Sequence, residues 1–173
     1  MNKPDLSYLA GYPQPVLESV RALVARGELA AHLARRYPGQ AHAVQTDKAL
    51  YQYVEAIRRE RLRHTPPPSK VLFDSRQHPV RGTLGTHTRV SRVQGGKLKS
   101  KNEIRIASVL REAPEPLLRA VVVHELAHFR ESDHDKAFYQ LCCHMEPDYH
   151  QLEFDLRLWL MARETGPQDA APG

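Results

Sequence analysis

The chain has 173 residues, a formal net charge of +5, and hydrophobic and charged fractions of 41% and 26%, which suit one soluble domain with a full-sized core. Its opening residues, Met1 to Tyr8, lack a charged start followed by an apolar run, and no stretch approaches about 18 consecutive apolar residues, so neither export nor membrane insertion is expected. The two cysteines, Cys142 and Cys143, are adjacent and poorly placed to bridge each other, which excludes a disulfide framework and fits a reduced, cytoplasmic setting.

In chain order, Val16, Val20, Leu23, Val24 and Leu33 recur near helical spacing and predict a helix from Pro15 to about Arg36. Pro38-Gly39 ends it. A second helix is predicted from Thr46, its cap, to about Arg63, before Pro66-Pro67-Pro68 removes backbone donors and stops it. Three short strands follow, at Lys70 to Asp74, roughly Gly85 to Val93, and Glu103 to Ser108, with Gly95-Gly96 turning the second toward the third. The short connections predict an antiparallel sheet. Ala113-Pro114-Glu115-Pro116 then opens a further helix, since proline is tolerated in a first helical turn. The spacing of Phe138, Leu141, Cys142 and Met145, and of Leu152, Leu156, Trp159 and Leu160, predicts two more. Helices, strands and helices segregate along the chain, so the fold class is α+β, one domain over 1–165 with a disordered tail over 166–173.

The helix after the sheet carries the chemistry. Residues 121–134 read Val-Val-Val-His-Glu-Leu-Ala-His-Phe-Arg-Glu-Ser-Asp-His, an H-E-x-x-H segment followed by His134. Residues four apart share a helix face, so His124 and His128 can reach one ion while Glu125 points toward water bound to it. Three imidazoles on a divalent ion leave a fourth position open, the mark of a catalytic zinc site. The surrounding residues, Leu117 to Phe129, are apolar on nearly all sides, and burying two histidines and a glutamate there without partners would be costly. One zinc ion per chain, held by His124, His128 and His134 with Glu125 as general base, resolves that cost.

A second feature is electrostatic. Between Arg81 and Glu112 lie Arg81, Arg89, Arg92, Lys97, Lys99, Lys101, Arg105 and Arg111 against Glu103 and Glu112. Such a segment attracts anions, and Arg89, Arg92, Lys97, Lys99 and His87 are its candidate substrate-binding residues. The attraction carries little information about shape, so a nucleotide phosphate, an acidic peptide or weakly bound nucleic acid would satisfy it equally.

Thr46-Asp47-Lys48-Ala49-Leu50-Tyr51-Gln52-Tyr53, the run Val90-Ser91-Arg92-Val93-Gln94-Gly95-Gly96-Lys97-Leu98-Lys99 within Thr86 to Ile106, and Ala113-Pro114-Glu115-Pro116 through Trp159 resemble the YgjP-like metallopeptidase family, distant relatives of SprT-like zinc peptidases. The resemblance covers nearly the whole chain. It implies a zincin-like core: a small three-stranded sheet, an active-site helix with two His, and a third His from the start of the next helix. The spacing of His128 to His134 equals that of metzincin peptidases, which place glycine where this chain has Glu131. Ser132-Asp133 are the expected makers of the turn instead, and Glu131, Glu146 and His144 are the rival third ligands.

For a peptide substrate, the metal polarises the scissile carbonyl while Glu125 takes a proton from the metal-bound water and delivers it to the leaving amine. His87, Tyr139, Tyr149 and His150 are oxyanion-stabiliser candidates by residue type. The resemblance also carries a UTP pyrophosphatase activity, in which the basic segment would hold phosphates and Mg2+ would take part. A site of imidazoles rather than carboxylates, without a Walker-type loop, favours the peptide. The third expectation is a nucleic-acid-associated zinc peptidase of SprT-like type. It rests on the basic segment alone, since no aromatic-rich strand for stacking bases accompanies it.

Overall fold

A computed structural model describes residues 5–39, 41–76, 85–94 and 97–166, and for 86–94 and 97–101 it describes backbone alone. The Gly95-Gly96 turn, Arg81 and the tail from residue 167 lie outside the described residues. Among those described, six α-helices and three strands form an α+β chain. It divides into two compact units, Met1–Gln40 with Phe154–Gly173, and Ala41–Glu153.

In the first unit the single helix predicted over 15–36 is two, α1 (Gln14–Ala25) and α2 (Leu29–Arg36). The break is a Schellman turn: Gly27 takes φ +67°, its N–H bonds the Val24 carbonyl at 3.0 Å, and the Glu28 N–H reaches back to Leu23 at 2.9 Å. Apolar periodicity continues through such a turn, so spacing alone does not reveal it. The C-terminal part of α6 (Tyr149–Thr165) completes this unit, where Asp155 is buried. Arg36 and the Tyr37 hydroxyl donate to it at 2.9 and 2.5 Å, supplying the hydrogen bonds a buried carboxylate requires.

The second unit begins with α3 (Asp47–Arg61), capped as expected by Thr46, whose Oγ1 accepts from the Ala49 N–H at 3.1 Å. The sheet of β1 (Lys70–Asp74), β2 (Gly85–Gln94) and β3 (Lys97–Ala107) has the order β1-β3-β2. It is mixed, not antiparallel throughout. β2 and β3 pair antiparallel from Gly85↔Ile106 to Gln94↔Lys97, whereas β1 lies on the far side of β3 and pairs parallel to it, from Lys70↔Glu103 to Asp74↔Ala107. Short connections predict antiparallel pairing only between sequence neighbours that pair, and β1 pairs with a strand two along. Val71, Phe73, Ile104 and Ile106 share one face in this register and are all buried. On the other face Arg105 reaches Asp74 at 3.2 Å. Hydrogen bonds from Arg76, and then from Arg105, hold the Asp74 carboxyl down at about 2.

Helix α4 (Glu115–Ala127) buries Leu117, Leu118, Val121, Val122, Val123 and Leu126, as its nearly unbroken apolar sequence requires. Two polar ties fix its setting. The Tyr53 hydroxyl on α3 donates to Glu115, and Arg119 donates to the Met145 carbonyl at 3.2 Å at the end of α5 (Lys136–Met145). No helix among the described residues is long and apolar enough to cross a membrane.

Candidate metal centre

His124 lies in the last turn of α4, and His128 caps that helix. Beyond it the chain turns with hydrogen bonds from Arg130 and Glu131 N–H to the Ala127 carbonyl, at 3.1 and 2.9 Å. Among the described residues no non-glycine φ is positive, so Glu131 makes the turn without the left-handed backbone that a glycine would supply. His134 follows, immediately before Asp135, whose carboxylate accepts from the Phe138 N–H at 3.0 Å and caps α5. A short bend between two well-ended helices thus returns the third imidazole to the first two.

The three Nε2 atoms converge. They stand 3.3 Å apart between His124 and His128, 3.0 Å between His128 and His134, and 3.2 Å between His124 and His134. Tetrahedral coordination with Zn–N bonds of about 2.0–2.1 Å sets ligand nitrogens about 3.3 Å apart, so the donor set fits such an ion without rearrangement. The rings pack around the buried Phe138, with centroids 4.9, 4.6 and 4.9 Å from it for His124, His128 and His134. An apolar floor under three nitrogens strengthens any charge interaction above it.

The outward nitrogens of His124 and His128 are engaged. His128 Nδ1 lies 3.0 Å from the Glu131 carbonyl. A carbonyl only accepts, so Nδ1 carries the hydrogen and Nε2 presents a lone pair to the centre. Glu131 therefore contributes through its backbone. Among the described residues the group able to hold an ion is His124, His128 and His134, without Glu131, Glu146 or His144. Glu146 instead accepts from Arg119 at 3.4 Å. His124 Nδ1 lies 2.8 Å from the Tyr149 hydroxyl in the first turn of α6.

Glu125 is 3% exposed, and burial raises its carboxyl to about 8. A carboxyl raised in this way is a stronger base than an exposed glutamate once it is ionised. Its side chain occupies the space a Cβ on Gly85 would take: an added Cβ would stand 2.7 Å from Oε1 and 2.9 Å from Cγ. Gly85 opens β2, so the strand's backbone is the wall against which the carboxylate rests. Gly85→Ala is expected to lower the melting temperature, because the buried Glu125 side chain must shift from Cγ outward to admit the methyl. Turnover should fall by about one to two orders of magnitude at unchanged metal content. Wild-type turnover in that variant would mean that the wall does not position the carboxylate.

Of the oxyanion candidates, Tyr149 turns its hydroxyl to the back of His124, away from the converging nitrogens. Tyr139 packs edge-on against Phe138 at 5.2 Å, and His150 is exposed beside it. Arg89, Arg92, Lys97 and Lys99 fall on the β2–β3 hairpin, with Arg92 opposite Lys99, and His87 lies on β2 opposite Ile104. Their side chains are outside the description.

The family model of the YgjP-like, metallopeptidase domain matches residues 85–158, a span that contains Gly85, all three histidines and Tyr149. A protein of Escherichia coli (strain K12) named UTP pyrophosphatase is 57% identical over 162 residues, covering 94% of this chain and 96% of that protein. The chain belongs to the YgjP-like family. Family and relative together make it a hydrolase, and no solved structure matches it significantly.

Proposed function

We propose that this YgjP-like protein is a zinc-dependent hydrolase that cleaves UTP to UMP and pyrophosphate. The observation that carries the reading is the relative named UTP pyrophosphatase, whose 57% identity runs almost from end to end of both chains. Identity spread over that much of the chain leaves little room for a differently shaped pocket on the same frame.

His124, His128 and His134 hold the ion, and their all-imidazole character suits zinc over magnesium. When bound, the ion supplies Lewis acidity, acidifying water and polarising the phosphoryl group. Glu125 accepts the proton of the attacking water. Water adds at the α-phosphorus, the bond to the bridging oxygen breaks, and the proton passes to the leaving pyrophosphate or to solvent. Arg89, Arg92, Lys97, Lys99 and His87 are the residues that offset the phosphates' charge, and Mg2+ enters with the nucleotide.

Peptide hydrolysis is the second reading. It is favoured by the H-E-x-x-H arrangement and by β2, which among the described residues lies at an edge of the sheet where an extended peptide can add as a strand. Both reactions need the same ion and the same base. Paired assays on UTP and on an unstructured protein, each with wild type and Glu125→Gln, separate them. Pyrophosphate release from UTP that depends on Glu125 supports the first reading, and Glu125-dependent peptide cleavage with inert UTP overturns it.

A further inference from the structure

The site's outer contacts are asymmetric. His128 is fixed by a carbonyl, which leaves its tautomer no choice, but His124 is fixed by a hydroxyl, which can donate or accept. A hydroxyl that donated to Nδ1 would leave hydrogen on Nε2, facing the other two rings where a lone pair is needed. The converging Nε2 atoms set the direction of that hydrogen bond: an ion held between them needs the lone pair on His124 Nε2, which leaves hydrogen on Nδ1 and makes the hydroxyl the acceptor.

Tyr149 has a second contact. The Cys142 thiol on α5 is a second polar neighbour of that hydroxyl, and Tyr149 and Cys142 are both buried, at 1% and 0% exposure. The phenol therefore has one hydrogen to give and two neighbours to satisfy. If it gives that hydrogen to sulfur, its oxygen is left to accept from Nδ1–H.

We infer that Tyr149 is the positioning residue of the metal centre: its hydroxyl accepts from His124 Nδ1–H and donates to Cys142 Sγ, holding His124 in the tautomer that binds the ion. The inference rests on the metal reading above. Outer-shell partners of metal-ligating histidines are typically carboxylates, carbonyls or water, and their loss costs about 10- to 100-fold in metal affinity. A buried tyrosine in that place also restrains the ring, through the 2.8 Å contact to its outward nitrogen. Its position on α6 ties the ligand to a helix that neither carries a ligand nor adjoins the motif in sequence.

The test is zinc affinity by chelator competition for wild type, Tyr149→Phe, Cys142→Ala and His124→Ala, together with 15N NMR of the histidine tautomers in metal-free protein above pH 8. Tyr149→Phe is expected to weaken zinc binding about 10- to 100-fold at a melting temperature close to wild type, with a smaller loss in Cys142→Ala and a larger one in His124→Ala. The wild-type spectrum is expected to show His124 with hydrogen on Nδ1, and the phenylalanine variant a mixture. Wild-type zinc affinity in Tyr149→Phe, or hydrogen on Nε2 in the wild type, overturns the inference while leaving the metal reading intact. Failure of the wild type itself to bind zinc overturns both. If Tyr149→Phe does not fold, Cys142→Ala and the wild-type tautomer decide alone.

Discussion

Glu125→Gln is expected to lower turnover on the true substrate by about two orders of magnitude or more while zinc content stays near one equivalent per chain. Glutamine keeps the volume and one carbonyl oxygen of the buried glutamate but cannot take a proton. Glu125 is not one of the converging donors, so the ligand set survives the change. Its pocket is apolar enough to raise the carboxyl to about 8, and a neutral amide is easier to bury than a charge, so stability should hold or rise. Turnover and elemental analysis of one preparation check this. Zinc lost together with activity would make Glu125 a ligand and would remove the assigned base.

His134→Ala should have the largest effect on metal binding of any change outside the H-E-x-x-H segment. His134 is the exposed member of the triad, held in place by the bend between α4 and the Asp135 cap of α5. Removing it leaves two imidazoles on one helix face, a chelate that lacks the third nitrogen now 3.0 and 3.2 Å from its fellows. A drop in zinc affinity of three orders of magnitude or more is expected, of the size of losing one strong nitrogen ligand. Competition with a chromophoric chelator measures it. Because the side chain is exposed, the metal-free variant should melt close to metal-free wild type, separating ligand loss from misfolding.

The convergence of the three histidines was legible because it is local. His124 and His128 are four apart on a helix whose apolar sequence demands burial, and His134 follows within a single bend. The cap at Thr46 was legible for the same reason. What could not be read depends on distance along the chain. The placement of β1 beyond β3 is a choice between partners that short-range pattern does not encode. Gly85 looked like the start of a strand, and only the approach of a helix forty residues on explains why a side chain there would strike Glu125. Tyr149 could be picked by type as lying near the site but not assigned its side of it, behind His124 instead of before the substrate. Glu131 was weighed as a carboxylate, whereas its carbonyl is the group in use. The break at Gly27 had a signal, a glycine within a helical pattern, which spacing outweighed. Substrate class lay further still from the residues: imidazoles pointed to peptides, and a relative at 57% identity turned the reading toward UTP.

All three imidazoles of the centre fall between residues 124 and 134. Closing so short a loop costs little chain entropy, and an unfolded chain can therefore wrap the same nitrogens around an ion. On the proposed zinc reading, the ion would bind the denatured ensemble as well as the native one, and the stability it confers would be smaller than its native affinity alone would give. The same locality lets an ion gather this segment before the sheet has assembled, so that metal can act early in folding as well as late in catalysis.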